Sequence, residues 1–180
     1  TLLSAGLAAG FDRSNPASAT TPPLDGLSEE TAAPSCWSIK QNYPASPDGV
    51  YWLRTNALLQ PEQFYCDQTT SGGGWVLIGR GREGWSFPHQ GQGSASTLRS
   101  IITGPDAFAP ATLPTNTVNG LLNGGRTDAL PDGIRVRRAS NPTGTTWQEV
   151  RFAPIATGDF TWAFGGGIRL ASISFDGVVT

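Results

Sequence analysis

The chain has 180 residues, which is enough for one hydrophobic core of ordinary size. Its formal net charge of −2 argues against a nucleic-acid-binding protein, because neutralising phosphates requires a clustered basic surface. Charged residues make up only 14% of the chain, whereas 23 glycines and 14 prolines favour short strands joined by many turns. No apolar run is long enough to predict a membrane span.

The N-terminal 35 residues differ in composition from the rest. Only one of the 17 Phe, Trp and Tyr residues, Phe11, lies before Cys36, so the core-forming part is expected to begin near that cysteine. Residues 12–35 carry four prolines among many Ser, Thr and Ala, which is typical of an extended linker. The sequence therefore predicts an arm or linker at 1–35 and one domain at 36–180.

The beginning of this arm is apolar, with Leu3, Leu7 and Phe11 at helical spacing. The stretch is either the tail of a signal peptide or an arm that docks on another surface. That surface belongs to the chain's own domain or to a neighbouring subunit. The apolar residues available for docking are Leu2, Leu3, Leu7 and Phe11, followed by Leu24 and Leu27.

After Cys36 the pattern changes to short strands. We expect them at Gly49–Leu53, Gln63–Cys66 and Gly74–Ile78, the first after a turn at 46–49. The polar stretch 67–73 between the last two predicts a hairpin connection that ends on three glycines.

The second half is predicted to contain two short helices and four strands. The helices are Ser96–Thr103, capped by Ser94 or Ser96, and Thr117–Asn123. The alternation around Ile134–Arg137 puts the arginines towards solvent and Ile and Val towards the core. The strands are expected at Gly133–Arg138, Thr145–Phe152, Asp159–Phe164 and Ile168–Phe175.

Cys36 and Cys66 are the two cysteines of the chain. A turn-rich sequence with a single lysine suits an extracellular protein, where a disulfide would persist. A bridge closing a loop of about 30 residues would stabilise the fold by about 3–4 kcal/mol. The alternative is a pair of unrelated buried thiols.

The candidate chemistry is sparse. Residues 79–84 match G-x-G-x-x-G, but Trp85-Ser86-Phe87-Pro88 follows and does not open the helix that a dinucleotide site needs. The single histidine, His89, has neither a companion histidine nor a free cysteine for a zinc site. The aspartates are scattered singly, mostly at turns, and predict no metal site.

One basic cluster stands out, formed by Arg135, Arg137 and Arg138. A solvated strand edge explains it, since charges there discourage edge-to-edge pairing. The sharper hypothesis is a site for an acidic glycan or another partner.

Four stretches resemble the opening of fibrinogen-like domains: Cys36–Lys40, Ser46–Leu53, Phe64–Asp67 and Gly72–Trp75. The string Tyr-Cys-Asp-x4-Gly-Gly-Gly-Trp at 65–75 is similar to the signature of the bacterial members of that group. Order and spacing agree from residue 36 to residue 85. The residues that carry the resemblance are Asp48, Gly49, Tyr51, Trp52, Tyr65, Asp67, Gly72, Gly73, Gly74 and Trp75.

The resemblance implies a fibrinogen-like fold for 36–85 and a Cys36–Cys66 disulfide. Residues 86–180 diverge. In animal members this half holds an Asp-rich calcium loop, a second disulfide and a pocket for acetylated sugars or peptide ends, and we recognise none of these in the sequence. No ligand or calcium residue is therefore carried over to this chain.

The expected fold class is α+β, with a disulfide-stapled, fibrinogen-like N-terminal subdomain followed by a mixed, mainly antiparallel sheet with short helices. The expected function is a secreted or cell-surface recognition or adhesion module that binds glycan or protein without catalysis, metal or cofactor. The alternative is a structural subunit of an extracellular fibre or appendage, in which 1–35 docks on a neighbouring copy. An enzyme is disfavoured because no nucleophile–base pair is recognisable.

Overall fold

The computed structural model describes residues 22–82, 91–155, 158–162 and 169–176, and the backbone of Val178–Val179. These residues form an α+β fold in which every pairing between named strands is antiparallel. The helices are α1 Cys36–Asn42, α2 Ala95–Ser100 and α3 Thr115–Leu121. Among the described residues, no helix is long and apolar enough to cross a membrane.

The strands form three sheets. The first has the order β1-β2-β3, the second pairs β4 with β5, and the third has the order β6-β7-β8-β9. The strands are β1 Gly49–Leu53, β2 Glu62–Asp67, β3 Trp75–Val76, β4 Gly79–Arg80, β5 Ala111–Thr112, β6 Ile134–Ala139, β7 Trp147–Pro154, β8 Leu170–Phe175 and β9 Val178–Val179.

Helix α1 begins with a reciprocal cap. The Ser35 side chain accepts a hydrogen bond from the Ser38 backbone N–H at 3.0 Å, and the Ser38 side chain accepts one from the Ser35 N–H at 3.2 Å. The helix buries Cys36 and Ile39, one turn apart, against the first sheet. The sequence did not predict this helix.

The first sheet and α1 are joined by the Cys36–Cys66 disulfide, whose Cα atoms lie 5.6 Å apart. The predicted pairing of the two cysteines is therefore confirmed. β1 alternates as expected, with Tyr51 and Leu53 buried, and pairs with β2, which buries Phe64 and Cys66. The third predicted strand is shorter than Gly74–Ile78, because after β3 the chain leaves this sheet and pairs with β5 instead.

Residues before α1 already belong to the packed part of the chain. The N–H of Trp52 donates to Gly26 O, and the N–H of Ala33 donates to Trp52 O, so this segment lines the free edge of β1. Ala33 and Leu53 form a parallel bridge, and Ala33 is fully buried. The expected domain boundary at residue 35 thus falls after a segment that pairs with the sheet.

The core lies between the first sheet, the three helices and the β4–β5 pair, and it includes Leu98, Leu113 and Val118. Phe160 and Trp162 close it with an edge-to-face contact at 5.0 Å, and the Trp162 indole N–H donates to Leu113 O. Both rings are buried in a segment that is not a strand, so the strand predicted from Asp159 is wrong for residues 159–162. Residues 163–168 lie outside the described part.

Candidate functional site

The signature turn, which comprises residues 67–74, is built by two carboxylates. Asp48 Oδ1 accepts hydrogen bonds from the backbone N–H groups of Gln68 and Thr69, at 2.6 and 3.0 Å. Asp67 Oδ1 accepts one from the Thr70 N–H at 2.8 Å. Each carboxylate therefore satisfies backbone donors that the hairpin leaves unpaired, so both residues shape the loop.

Gln68 fixes the turn to the rest of the subdomain. Its side chain is fully buried, donates from Nε2 to Cys36 O at 3.1 Å and accepts from the Gly74 N–H at 3.2 Å. A Cβ on Gly73 would lie 2.1 Å from Gln68 O, and one on Gly74 would lie 2.6 Å from Trp37 Cε3. Both glycines have positive φ, so the turn needs glycine there for its backbone and for its packing.

The remaining signature residues also hold structure. Tyr51 is buried, and its hydroxyl donates to Pro47 O at 2.7 Å. Trp52 carries the backbone pairing to the segment before α1, and Gly49 lies opposite Cys66. Burial raises the pKa of Tyr65, and the nearby carboxylates of Asp48 and Asp67 raise it further, so the phenol stays protonated near neutral pH.

Trp75 contacts two neighbouring arginines of the third sheet. The Arg135 guanidinium carbon is 4.6 Å from the Trp75 ring centroid, and that of Arg151 is 5.1 Å away. Arg151 is also ion-paired with Glu149 at 2.8 Å, and Glu149 accepts a hydrogen bond from Ser71 in the signature turn. Two cation–π contacts to Trp75 and the Ser71–Glu149 hydrogen bond thus join β3 and the signature turn to the third sheet.

The centre of this junction is an ion pair between Arg135 Nη2 and Asp67 Oδ2 at 2.5 Å. Only 9% of the Arg135 side chain and 13% of the Asp67 side chain is exposed. Arg135 Nη1 also donates to Thr70 O. Burial by itself would raise the pKa of Asp67, but the Thr70 N–H and the Arg135 guanidinium outweigh it and hold that pKa below its usual value.

The prediction that β6 turns its arginines to solvent and Ile and Val to the core is therefore wrong for Arg135 and Val136. Arg135 is largely buried, whereas Val136 is 48% exposed. The reason is Asp67, which supplies a charged partner and so offsets the desolvation of the guanidinium.

The basic cluster is consequently divided. Arg135 is ion-paired with Asp67. Arg137 lies on the same face of β6, and its guanidinium carbon is 4.9 Å from the Trp147 ring centroid. Arg138 lies on the opposite face of this strand. Arg137, Arg138 and Trp147 are exposed. A partner could reach Arg137 and Arg138, but the three arginines do not form one surface.

An open groove of about 630 Å³ lies beside the end of β1, next to the segment that pairs with this strand. Three separate segments line it: residues 24–35, the loop 54–56, and the end of α3 with the residues that follow it. Thr55 Oγ1 donates to Gly120 O at 2.6 Å, and Asn123 Oδ1 accepts from the Asn56 N–H at 2.9 Å, so the loop and the α3 end are tied together.

The lining of this groove mixes charge with apolar surface. Glu29, Glu30 and Arg54 bring carboxylates and a guanidinium, and Leu24 and Leu121 bring apolar contact. Sequence reasoning missed this groove, because Glu29 and Glu30 lie in a different segment from Arg54 and meet it only through the fold. Leu24 was instead expected to serve in the docking arm, together with Leu27.

The G-x-G-x-x-G match is structural where it is described. Gly79 and Arg80 form β4, and the Arg80 guanidinium donates to backbone carbonyls of Thr97 and Leu98 in α2 and of Ala107 and Ala109 beyond it. Residues 83–90, including His89, lie outside the described residues. So do the arm residues Leu2, Leu3, Leu7 and Phe11.

Within the described ranges, no group of three or more His, Cys, Asp or Glu side chains is arranged to hold a metal ion. A scan against models of known protein families finds none that matches this chain. The fibrinogen-like resemblance thus stays a prediction that rests on the signature residues.

Proposed function

We propose that the chain is a secreted, non-catalytic recognition module related to fibrinogen-like domains, and that it binds a glycan in the groove beside β1. The observation that carries the proposal is the groove itself, whose carboxylates, guanidinium and amide groups converge on a wall that also offers apolar contact. Carboxylate, guanidinium and amide groups are planar, and each of them can form two hydrogen bonds with neighbouring hydroxyl groups of a sugar.

Two further observations support the secreted, fibrinogen-like part of the proposal. The disulfide suits an oxidising compartment. All ten residues that carry the resemblance lie in or beside the first sheet, and those at 67–74 act together in one turn. The groove is formed partly by the α3 end, which belongs to the half that diverges from the family. A ligand site different from the family's pocket fits that divergence.

A glycan array probed with the full chain tests the proposal. The informative variants are Arg54→Ala and Asn56→Ala, in the groove wall, with Arg138→Ala as the matched control on a distant exposed arginine. We expect the wild type and Arg138→Ala to bind the same glycans, and each groove variant to lose at least tenfold in affinity, about 1.4 kcal/mol.

A blank array with well-folded protein would overturn glycan binding and direct attention to a protein ligand. Binding that survives in Arg54→Ala and is lost in Arg138→Ala would move the site from the groove to the third sheet.

A further inference from the structure

The third sheet exposes a contiguous apolar face. The register places Val136, Val150 and Phe175 in one row across β6, β7 and β8, and Ile134, Phe152 and Ile173 in the next row. We call these six side chains the apolar face. Val136 is 48% exposed and Phe175 is 49% exposed, and the other four are partly exposed.

The face extends by one row and carries no charge within its rows. Beyond the irregularity at Ala153 and Pro154, Leu170 pairs with Pro154 and is 38% exposed. Arg138 and Gln148 bound the other end. The opposite side of the sheet, with Arg135, is the side that meets the signature turn. Contiguous apolar patches of this order on a protein surface are often functional.

The size of the face argues against a second copy as that partner. Strands lie about 4.8 Å apart and alternate residues about 6.8 Å apart, so two or three rows over three strands cover roughly 200–300 Å². Two such faces together would bury roughly 400–600 Å², whereas stable specific interfaces bury about 1,200 Å² or more. A small contact suffices when the occupant is tethered, because the effective concentration is then in the millimolar range.

The chain itself carries a tethered apolar segment. Residues 1–11 contain no charged side chain, and Leu3, Leu7 and Phe11 recur every four residues. In a helix these side chains form one stripe with a repeat of about 6 Å, close to the spacing between rows on the face. A helix of this length is marginal alone in water, so it would depend on the contact. The ten residues 12–21 reach up to about 35 Å, comparable with the width of a domain of this size.

We propose that residues 1–11 dock on the apolar face of the same chain. The Leu3–Leu7–Phe11 stripe lies along the strands and covers Val136 and Phe175. The proposal is independent of the groove and of its ligand.

Site-specific photo-crosslinking in the full chain tests this docking. A p-benzoylphenylalanine is introduced at Val136, and in a control protein at Val50, which is 42% exposed on β1. Each protein is prepared as an equal mixture of unlabelled and ¹⁵N-labelled chains, and mass spectrometry identifies the cross-linked peptides. We expect the probe at position 136 to capture residues 1–13 within one chain, and the probe at position 50 to capture them at least tenfold less.

The paired substitution Leu3→Asp with Leu7→Asp should reduce that capture at least tenfold, and Leu27→Asp, a change at an exposed leucine outside the stripe, should leave it unchanged. Thermal melts by circular dichroism confirm that the variants are folded. The proposal would be overturned if the probe at position 136 captured other segments, or if the probe at position 50 captured residues 1–13 equally well. It would also be overturned by cross-links between an unlabelled and a ¹⁵N-labelled chain. The last result would support the fibre-subunit hypothesis, in which the arm docks on a neighbour.

Discussion

The first and third sheets carry similar alternating strands but bury opposite kinds of side chain. β1 and β2 place Tyr51, Leu53 and Phe64 in the core. β6, β7 and β8 instead turn the side that carries Arg135 towards the signature turn and leave the apolar face accessible. The first sheet is held by hydrophobic burial and a disulfide, and the third is joined to it by the Arg135–Asp67 ion pair and cation–π contacts.

This difference shows that alternation identifies which residues share a face without identifying the buried face. The deciding factor is what the neighbouring element offers. α1 offers Ile39 and Cys36 to the first sheet, whereas the signature turn offers Asp67 and Trp75 to the third. An arginine next to a carboxylate and an indole is satisfied by burial, and a valine there would leave the carboxylate unpaired.

Removing the disulfide is expected to have the largest effect. The double substitution Cys36→Ala with Cys66→Ala should lower the free energy of unfolding by about 3–4 kcal/mol, because the unfolded chain is no longer constrained by the closed loop. Urea unfolding followed by tryptophan fluorescence measures the change. A loss below about 1 kcal/mol would mean that hydrophobic packing alone holds the first sheet.

Arg135→Ala should cost about 3 kcal/mol, because it leaves Asp67 charged and largely buried without its partner. Arg137→Ala is the matched control on the same face, and it should cost no more than about 1 kcal/mol because it removes only an exposed contact with Trp147. Equal losses in the two variants would contradict the view that the ion pair joins the sheets.

The signature turn can be tested with two neighbouring glycines. Gly73→Ala should lower the free energy of unfolding by about 1–3 kcal/mol more than Gly72→Ala does, because only at Gly73 does the added Cβ clash with the backbone. Both residues have positive φ, but a Cβ would meet Gln68 O only at Gly73, and at Gly72 it meets nothing within 4 Å. Chemical denaturation of both variants gives the difference, and similar values would remove the packing argument.

Asp67 should also make stability depend on pH. Its pKa is lowered in the folded state, so its contribution is present above the unfolded value of about 3.9 and is lost as the pH falls through the folded value. Asp67→Asn should therefore flatten the decline in unfolding free energy below about pH 4. Denaturation midpoints across acidic buffers measure this, and an unchanged slope would contradict it.

Val136→Ala should have the smallest effect, within about 0.5 kcal/mol, because the side chain is half exposed. Leu53→Ala, at a position of the first sheet that faces the core, should cost about 2–5 kcal/mol. The pair of unfolding curves compares the two faces directly. A cost at Val136 close to that at Leu53 would contradict this difference between the two sheets.

Local features were predictable from the sequence. β1 has the predicted bounds, and α2 begins after Ser94, one of the two predicted caps, because caps and turns depend on residues close in the chain. α1 was missed because a seven-residue helix gives little periodicity, and it forms through Ser35–Ser38 capping and the burial of its cysteine. Phe160 and Trp162 alternate as in a strand, but both are buried in irregular chain.

The groove could not have been predicted, since Glu29, Arg54 and Asn123 come from three segments that only the fold brings together. In the third sheet, too, the contact that could not be predicted joins residues far apart in the chain. The sequence by itself determined the Gly-rich turn and the alternation of β6, and the resemblance added the disulfide pair. The tertiary structure alone decided that Arg135 faces inwards, because its partner Asp67 lies 68 residues earlier and the cost of burying a charge depends on that partner.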